Sequence, residues 1–590
     1  MPEATREQLI DTLEQIALLL ELKGENPFKV RAYRTGAETV RTYPGDIIKL
    51  AADNELAGIK GIGEALRSKL HELAATGGLG FFEKLRAEFP ATIFELFDIQ
   101  GLGAKKIAAL YSELGVGSIA DLQRACESGE AAKLAGFGEK TVVKLLESIQ
   151  SRAQYADTFR ADQAAPAARE ILDYLRDHPD TSRAEVAGSF RRGKETVHDL
   201  DFLVATRNPA ALMEAFVIPP WVQSVIASGP TKTSVRLHSG VQCDLRAVTN
   251  AEFPFALAYF TGSKEHNIQM RGRALKHGWT LNEYRFAPTG PDSPEVPEEI
   301  YDESQIHRAL GLEFIEPELR EGSGEIEAAE AGTLPRLVET ENLRGTFHNH
   351  TTASDGHATL RQMAEAAMEL GLEYLGIADH SKSSFQANGL DETRLRAQLE
   401  EVRALNAEFA PGFRIFAGSE VDILKDGSLD FPDDLLAELD YTVASVHNVF
   451  NLPENEMTER ILRAIANPHV TMLGHPTGRL LLKRESYAVN LPVIIDACAA
   501  NGTIIELNAS PWRLDLDWRW WRMAATKGVK CSINPDAHSV HGLQDLWYGI
   551  RAARKGWLTR ADVLNTLPLG GKIESALTAK RAAAGIKSPV

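Results

Sequence analysis

GSFRRGKETVHDLDFLV, residues 188–204, is the stretch on which the reading of this chain turns. Its second half continues as DLDFLVAT, Asp199–Thr206, whose apolar and β-branched residues predict a strand. Asp199 and Asp201, two apart on that strand, project from one face. Asp244, in the later strand pattern VQCDLRAV, can supply a third carboxylate. Three converging carboxylates repel one another unless cations lie between them. Two Mg²⁺ ions about 3.5 to 4 Å apart meet that need: one would activate a hydroxyl nucleophile, the other hold a triphosphate and the departing pyrophosphate. Gly188 and Ser189 start a turn into a helix, where backbone N–H groups can hold phosphate, and Arg192 adds a fixed cation. An Asp-x-Asp alone is more often an exposed strand face; joined to these residues it predicts a nucleotidyl transferase palm.

Toward the N-terminus a short repeat reads IKGIGEAL, IQGLGAKKI and LAGFGEKTV, with its first glycines at 61, 101 and 136, spacings of 40 and 35 residues. Glycine permits the tight hairpin, and the helix that follows offers free N–H groups and a dipole suited to phosphate. This helix-hairpin-helix pattern predicts binding to DNA backbone without base reading, through Gly61, Gly63, Gly101, Gly103, Lys105, Gly136 and Gly138. Beyond the palm lies YFTGSKEHNIQMRGRALKHGWTLNEY, Tyr259–Tyr284.

From the first hairpin to about Arg320 these motifs together resemble family X DNA polymerases, Tyr259–Tyr284 being similar to their thumb. The resemblance implies that Asp199 and Asp201 bind both Mg²⁺ ions and that Asp244 lies nearest the primer end. It implies triphosphate contacts from Gly188, Ser189 and Arg192, a sugar pocket of Tyr259, Phe260 and Gly262, and minor-groove contacts from Asn267 and Arg271, which test pair shape rather than sequence. Lys264 departs from the acidic residue expected there in animal members. Some members form a Schiff base with a 5′-deoxyribose phosphate through a lysine near the position of Lys69; a phosphate-contacting or solvated lysine is the alternative.

From Gly345 onward, apolar runs such as YLGIAD, DYTVASV, VTMLGH and GTIIEL alternate with helical patterns, predicting an α/β region with a parallel sheet or barrel. Many end in ligand-type residues: His348, His350 and Asp355; Asp379 and His380; Glu420 and Asp422; His447; His475; Asp536 and His538. Strand ends at the C-terminal rim are where barrel active sites lie. Imidazoles with carboxylates suit Mn²⁺, Zn²⁺ or Fe²⁺ better than Ca²⁺, and the lack of cysteine speaks against a purely structural zinc site. The order of ligands resembles the polymerase and histidinol phosphatase (PHP) domain. That resemblance implies a site of up to three ions, Mn²⁺ or Zn²⁺, on His348, His350, Asp355, His380, Glu420, His447, His475, Asp536 and His538, with Asp379 and Asp422 orienting ligands. The first motif reads TFHNH, so Thr346 stands where an acid is commoner.

At 590 residues the chain exceeds a single core. The fold expected is multidomain, α+β and α/β: an all-α helical hairpin domain over 1–85, a fingers-like helical domain over 86–155, the palm over 156–250, the thumb over 251–320, a linker over 321–342, a distorted (β/α)7 TIM-like PHP barrel over 343–575, and a tail over 576–590. A net charge of -18 excludes binding nucleic acid through bulk basicity, although residues 1–160 are nearly neutral, with 20 Lys and Arg against 23 Asp and Glu. Four scattered cysteines, no leader-like N-terminus and no long apolar run predict a soluble, cytoplasmic, nucleoid-associated monomer. Its expected partners are gapped or primer-template DNA, bound without sequence preference, and deoxynucleoside triphosphates. The expected function is gap filling in DNA repair with a metal-dependent 3′–5′ exonuclease or phosphoesterase attached. A repair scaffold with only the PHP nuclease active, and a PHP phosphatase acting on small esters, are the alternatives.

Overall fold

The computed structural model describes residues 4–43, 46–99, 101–155, 157–297 and 299–586. They form two compact units, Met1–Ala156 and Asp157–Val590. Among the described residues no helix is long and apolar enough to cross a membrane.

The first unit is helical. Its opening helix, Arg6–Leu22, starts in a capping box, in which Thr5 Oγ1 accepts from Gln8 N at 3.2 Å and Gln8 Oε1 from Thr5 N at 2.8 Å. Leu9, Leu13, Ile16 and Leu20 recur every three or four residues and are buried, so one face of this helix becomes core. All three hairpin repeats take one geometry. The first glycine has φ +98° at Gly61, +89° at Gly101 and +86° at Gly136. The second stands immediately before a helix, Glu64–Thr76, Ala104–Leu114 or Glu139–Gln154.

The second unit begins with a five-stranded sheet: β1 (Thr181–Val186), β2 (Asp199–Thr206), β3 (Val222–Ser228), β4 (Lys232–Leu237) and β5 (Gln242–Val248), in the order β1-β2-β5-β4-β3. Only β2 and β5 run parallel. Leu200, Phe202 and Val204 bury one face of β2 against helix Ala161–Asp177. Strand alternation therefore turns Asp199, Asp201 and Leu203 to the other face, where Leu203 packs on helix Phe253–Thr261. That helix, helix Lys264–Lys276 and the hairpin Trp279–Leu281 with Phe286–Pro288 build the thumb around Phe255, Met270, Trp279 and Ile306.

The segment 321–342, expected as a linker, is folded. It holds helix Glu325–Ala331, and buried Glu325 accepts from Gly322 N at 2.8 Å and Ser323 N at 2.7 Å and pairs with His266 Nδ1 at 2.8 Å. Three partners satisfy a carboxylate that composition alone assigns to solvent.

After it come eight parallel strands, β6 (Gly345–Thr346), β7 (Tyr374–Ile377), β8 (Arg414–Ala417), β9 (Glu420–Asp422), β10 (Val443–Ser445), β11 (Met472–Leu473), β12 (Ile504–Asn508) and β13 (Cys531–Asn534). Eight strands stand where the expected barrel had seven, because β8 and β9 follow each other without a helix between them, and the ladder is two open sheets, β6 to β8 and β9 to β13. Single parallel bridges, His380 with Glu420 and Asn349 with Ala537, span the seams between them. The first part of the expected tail is structural: helix Lys572–Ala583 buries Leu577 and Arg581, and Lys580 Nζ donates to Ile465 O, Val470 O and Thr503 Oγ1 at 2.6, 3.0 and 2.8 Å. Residues 587–590 of that tail lie outside the described residues.

Within this unit helix Leu546–Lys555 lies against the palm turn. Lys555 Nζ donates to Arg192 O at 3.1 Å and Glu318 O at 3.3 Å, Arg551 donates to Phe190 O, and Trp518 Nε1 donates to Glu195 Oε2 at 3.2 Å. The PHP half thereby grips the loop between Gly188 and Asp199.

Candidate functional site

The palm carboxylates meet through sheet register. β2 and β5 pair in parallel with Asp201 opposite Asp244 and Asp199 opposite Gln242, so the three acids share one face at one end of the sheet. Gly188 closes that end. Its φ is +63°, and an added Cβ would overlap Asp201 Oδ2 and stand 3.1 Å from Asp201 Cγ. Ala187 N donates to Asp201 O at 2.8 Å, which fixes the turn to the strand. Burial, then Asp199 and Asp244, push Asp201 up to about 7. Burial and Asp244 likewise raise Asp199. For Asp244 burial is outweighed by hydrogen bonds from Lys232, Ser234 and Gln242, which lower it; Lys232 Nζ stands 2.7 Å and Gln242 Nε2 3.0 Å away. Arg246 and Lys232 act on Asp201, and His198 and Lys232 on Asp199, too weakly to offset burial and the neighbouring acids, so the site is electrostatically short of cations.

The residues expected to take the nucleotide divide into two groups. Tyr259, Asn267 and Arg271 line one small cavity of ≈ 20 Å³ with Met270 and His307. Asn267 Nδ2 donates to Tyr259 O at 2.7 Å and Gly262 O at 3.1 Å, and a Cβ on Gly262 would meet Asn267 Oδ1 at 2.7 Å, so that glycine is required by the contact. Phe260 packs edge-on to Tyr259 at 5.2 Å and lies 4.3 Å beneath the Arg246 guanidinium. Ser189 sits in the four-residue helix Gly188–Arg191. Arg192 does not face open space: Nη1 donates to Thr261 O at 2.7 Å and Nε to Glu321 Oε1 at 2.9 Å. Glu321 is bonded in turn by Lys555 of the PHP half.

The hairpin glycines line turns of the first unit. Of the neighbouring lysines, Lys105 is exposed, whereas Lys106 Nζ is tied back to Gly101 O at 3.0 Å. Lys69 Nζ donates to Ala65 O at 3.3 Å and stands 4.9 Å from the centre of the Phe81 ring.

All nine ligand-type residues named for the PHP half come together. His350, Asp355, His380 and His538 each offer an atom within 4.8 Å of the others, as do His348, His350 and Asp536, and also His380, Glu420 and His447. Glu420 is central, with His380 Nδ1 at 2.9 Å and His348 Nε2 at 3.3 Å from Oε2, and His475 Nε2 at 2.8 Å and His447 Nε2 at 3.1 Å from Oε1. The buried atoms His348 Nε2 and His350 Nδ1 have no hydrogen-bond partner. Unpaired imidazole nitrogens aimed into a carboxylate cluster fit divalent metal.

Proton affinities divide sharply across this cluster. Burial and the neighbouring His538 and His380 push His350 down to about 4. Against burial, Glu420 and Asp422 raise His447 to about 10, and Asp355 and Asp536 raise His538 to about 9. Metal must displace those protons, so its affinity rises with pH.

The two orienting carboxylates behave differently. Asp422 Oδ1 pairs with His447 Nδ1 at 2.6 Å. Among the described residues Asp379 has no hydrogen bond or ion pair with a ligand histidine; it accepts from Thr351 N at 2.8 Å and Thr351 Oγ1 at 2.7 Å and braces the loop that carries His350 and Asp355. Sequence reading missed Glu506. Fully buried on β12, it accepts from His348 Nδ1 at 2.7 Å, His475 N at 2.8 Å and Asn534 Nδ2 at 3.1 Å. The available signal was an acid inside the apolar run IIEL.

A palm with its acids on one face, a thumb beside it and a histidine-rich parallel sheet define a nucleotidyl transferase joined to a metallophosphoesterase. Family models agree along the chain: a helix-hairpin-helix domain at residues 4–79, a SAM-like helix-hairpin-helix tandem at 93–151, the DNA polymerase beta thumb at 256–321 and the PHP domain at 346–510. The DNA polymerase/3′-5′ exonuclease PolX of Bacillus subtilis (strain 168) is 40% identical over 568 residues, covering 96% of this chain and 98% of that protein. The chain belongs to the bacterial family X DNA polymerases that carry a PHP domain. A probable phosphatase of Thermoanaerobacter sp. (strain X514) is 29% identical over 247 residues, 40% of this chain and 94% of its own length.

Proposed function

We infer that the protein is a DNA-directed DNA polymerase that also removes nucleotides from DNA 3′ ends. The observation that carries the polymerase half is the parallel register that sets Asp201 beside Asp244 against Gly188. In this reading Asp199, Asp201 and Asp244 would hold two divalent ions, Mg²⁺ in the cell, and these would supply Lewis acidity to the nucleotidyl transfer. Asp244, held ionised by Lys232, faces the primer end. Ser189 and the Gly188 turn orient the triphosphate, and Arg192 turns from Glu321 to it. Tyr259, Phe260 and Gly262 hold the sugar, while Asn267 and Arg271 check the shape of the new pair.

The nine PHP residues hold up to three ions, Mn²⁺ or Zn²⁺, which would supply a nucleophilic hydroxide and neutralise the phosphate. Glu506 and Asp422 fix the tautomers of His348 and His447, so each ring presents Nε2 to the centre. The hairpins supply sequence-independent grip on gapped or primer-template DNA through the glycine turns and Lys105, with Lys69 a candidate for lyase chemistry. Joining the halves lets one make the clean 3′-hydroxyl that the other extends.

The test is a labelled gapped DNA incubated with the whole protein and Mg²⁺ or Mn²⁺, with and without nucleotides. The 3′ end lengthens with nucleotides and shortens without them. Asp244→Ala removes only lengthening and His350→Ala only shortening. Loss of both activities in either variant, or hydrolysis of small esters alone, refutes this reading.

A further inference from the structure

Beside the PHP cluster a groove of ≈ 280 Å³ is lined by Lys483, Trp512 and Arg513, and it ends on the cluster residues Asp536 and His538. Trp512 is 44% exposed, unlike Trp521 of the same half, which is fully buried. Its exposure does not come from a loose loop. Leu481 N donates to Trp512 O at 2.6 Å, Leu514 N to Ser510 O at 3.0 Å, and Arg479 Nε to Arg513 O at 2.8 Å.

The indole is also backed by charge. The Arg160 guanidinium lies 3.4 Å from its ring centre, and two hydrogen bonds to Asp162, both 2.9 Å, hold that guanidinium in plane. Lys483 Nζ is 5.5 Å from the same ring, and Arg513 Nε is 3.3 Å from Asp536 Oδ2. A rigid aromatic surface that leaves water exposed, next to two cations and a cluster built for phosphate, matches one ligand chemistry in particular. A base stacks on such a ring whatever its identity, and lysine and arginine take the phosphates on either side.

We propose that this groove is the binding subsite for the 3′-terminal nucleoside of a DNA strand, with its base on Trp512, its phosphate toward Asp536 and His538, and Lys483 and Arg513 on the flanking backbone. The proposal rests on the exonuclease reading above and deepens it: it assigns to Trp512 the grip on the residue about to be removed, and to Arg160, on the palm side of the chain, the task of holding the indole flat.

The whole protein is mixed, in chelator, with single-stranded oligonucleotides carrying 2-aminopurine at the 3′ terminus or near the 5′ end. The wild type quenches the 3′ probe on binding. Trp512→Ala loses that quenching and binds the oligonucleotide about 5- to 150-fold more weakly, the range expected for one base–aromatic stack, whereas Trp512→Phe keeps most of both. Equal 3′ quenching in wild type and Trp512→Ala, a loss as large at the 5′ probe, or failure of Trp512→Phe to retain quenching overturns the subsite. The same oligonucleotides with Mn²⁺ separate the two readings. A wild type that does not shorten them defeats the exonuclease assignment, whereas shortening by Trp512→Ala at an unchanged KM defeats the subsite alone.

Discussion

Gly188→Ala is the sharpest probe of the palm, because its cost has two parts that a second glycine separates. Gly188 and Gly193 have φ of +63° and +69°, so alanine at either position pays a left-handed backbone strain of about 1 to 2 kcal/mol. At Gly193 the added methyl meets nothing nearer than Glu318 Cγ at 3.5 Å, an ordinary contact. At Gly188 it overlaps Asp201 Oδ2, and the carboxylate must retreat by roughly 1 Å, a displacement on the scale that costs on the order of 100-fold in rate. Both variants should therefore unfold at lower urea by a similar amount, and Gly193→Ala should extend a primer nearly as fast as wild type. Gly188→Ala should lose about 100-fold in kcat for primer extension, while its 3′–5′ shortening of DNA is kept. Single-turnover extension and exonuclease assays on one preparation measure both. Equal extension rates in the two variants would show that Asp201 has room to move without consequence, and the argument that Gly188 sets its position would fail.

Three further outcomes follow from the same geometry. Buried Glu303, held down at about 2 against burial by Arg320 and Arg191, has a folded pKa below its ordinary 4.5. Its contribution, roughly 3 kcal/mol from a shift of that size, is full above pH 4.5 and lost as pH falls toward 2, so the stability gap between wild type and Glu303→Gln in urea titrations should close over that window. A gap that is constant with pH would contradict it. Glu506→Gln sets an amide N–H among donors and releases His348, which should weaken Mn²⁺ binding by calorimetry about 10- to 100-fold, with exonuclease restored by excess metal; unchanged affinity would make Glu506 a packing residue. Burial lowers Lys555 to about 8 although Glu321 opposes the shift, so above that pH Glu321 is left to Arg192 and Lys194. The KM for nucleotide in primer extension should rise above about pH 8 in the wild type, and Lys555→Met should show the raised value at every pH; a flat wild-type profile would uncouple the PHP helix from the nucleotide site.

What the sequence made legible was set by local chemistry. Asp199 and Asp201 declare a shared face by their spacing, the hairpin glycines repeat at positions only glycine takes easily, and histidines at strand ends mark a rim. Register was not legible, since nothing between Asp201 and Asp244 states that they stand opposite each other in a parallel pair. Nor were partners remote in sequence: Glu506 and His348 are separated by 158 positions, and Glu321 and Lys555 by 234. The Gly- and Glu-rich stretch after Arg320 reads as a linker because composition counts its acids without their cations. The structure sorts buried acids by that missing information. Glu303, Glu318 and Glu321 have arginine or lysine against them and are lowered despite burial, whereas Asp199 and Asp201, equally acidic in sequence, are raised by burial and then by the carboxylates they face. A buried carboxylate with its own cation is a structural tie; one without it is short of positive charge. In the palm the shortage sits on Asp199 and Asp201, beside an Asp244 that Lys232 already partly neutralises, and that difference lies in the fold rather than in any motif.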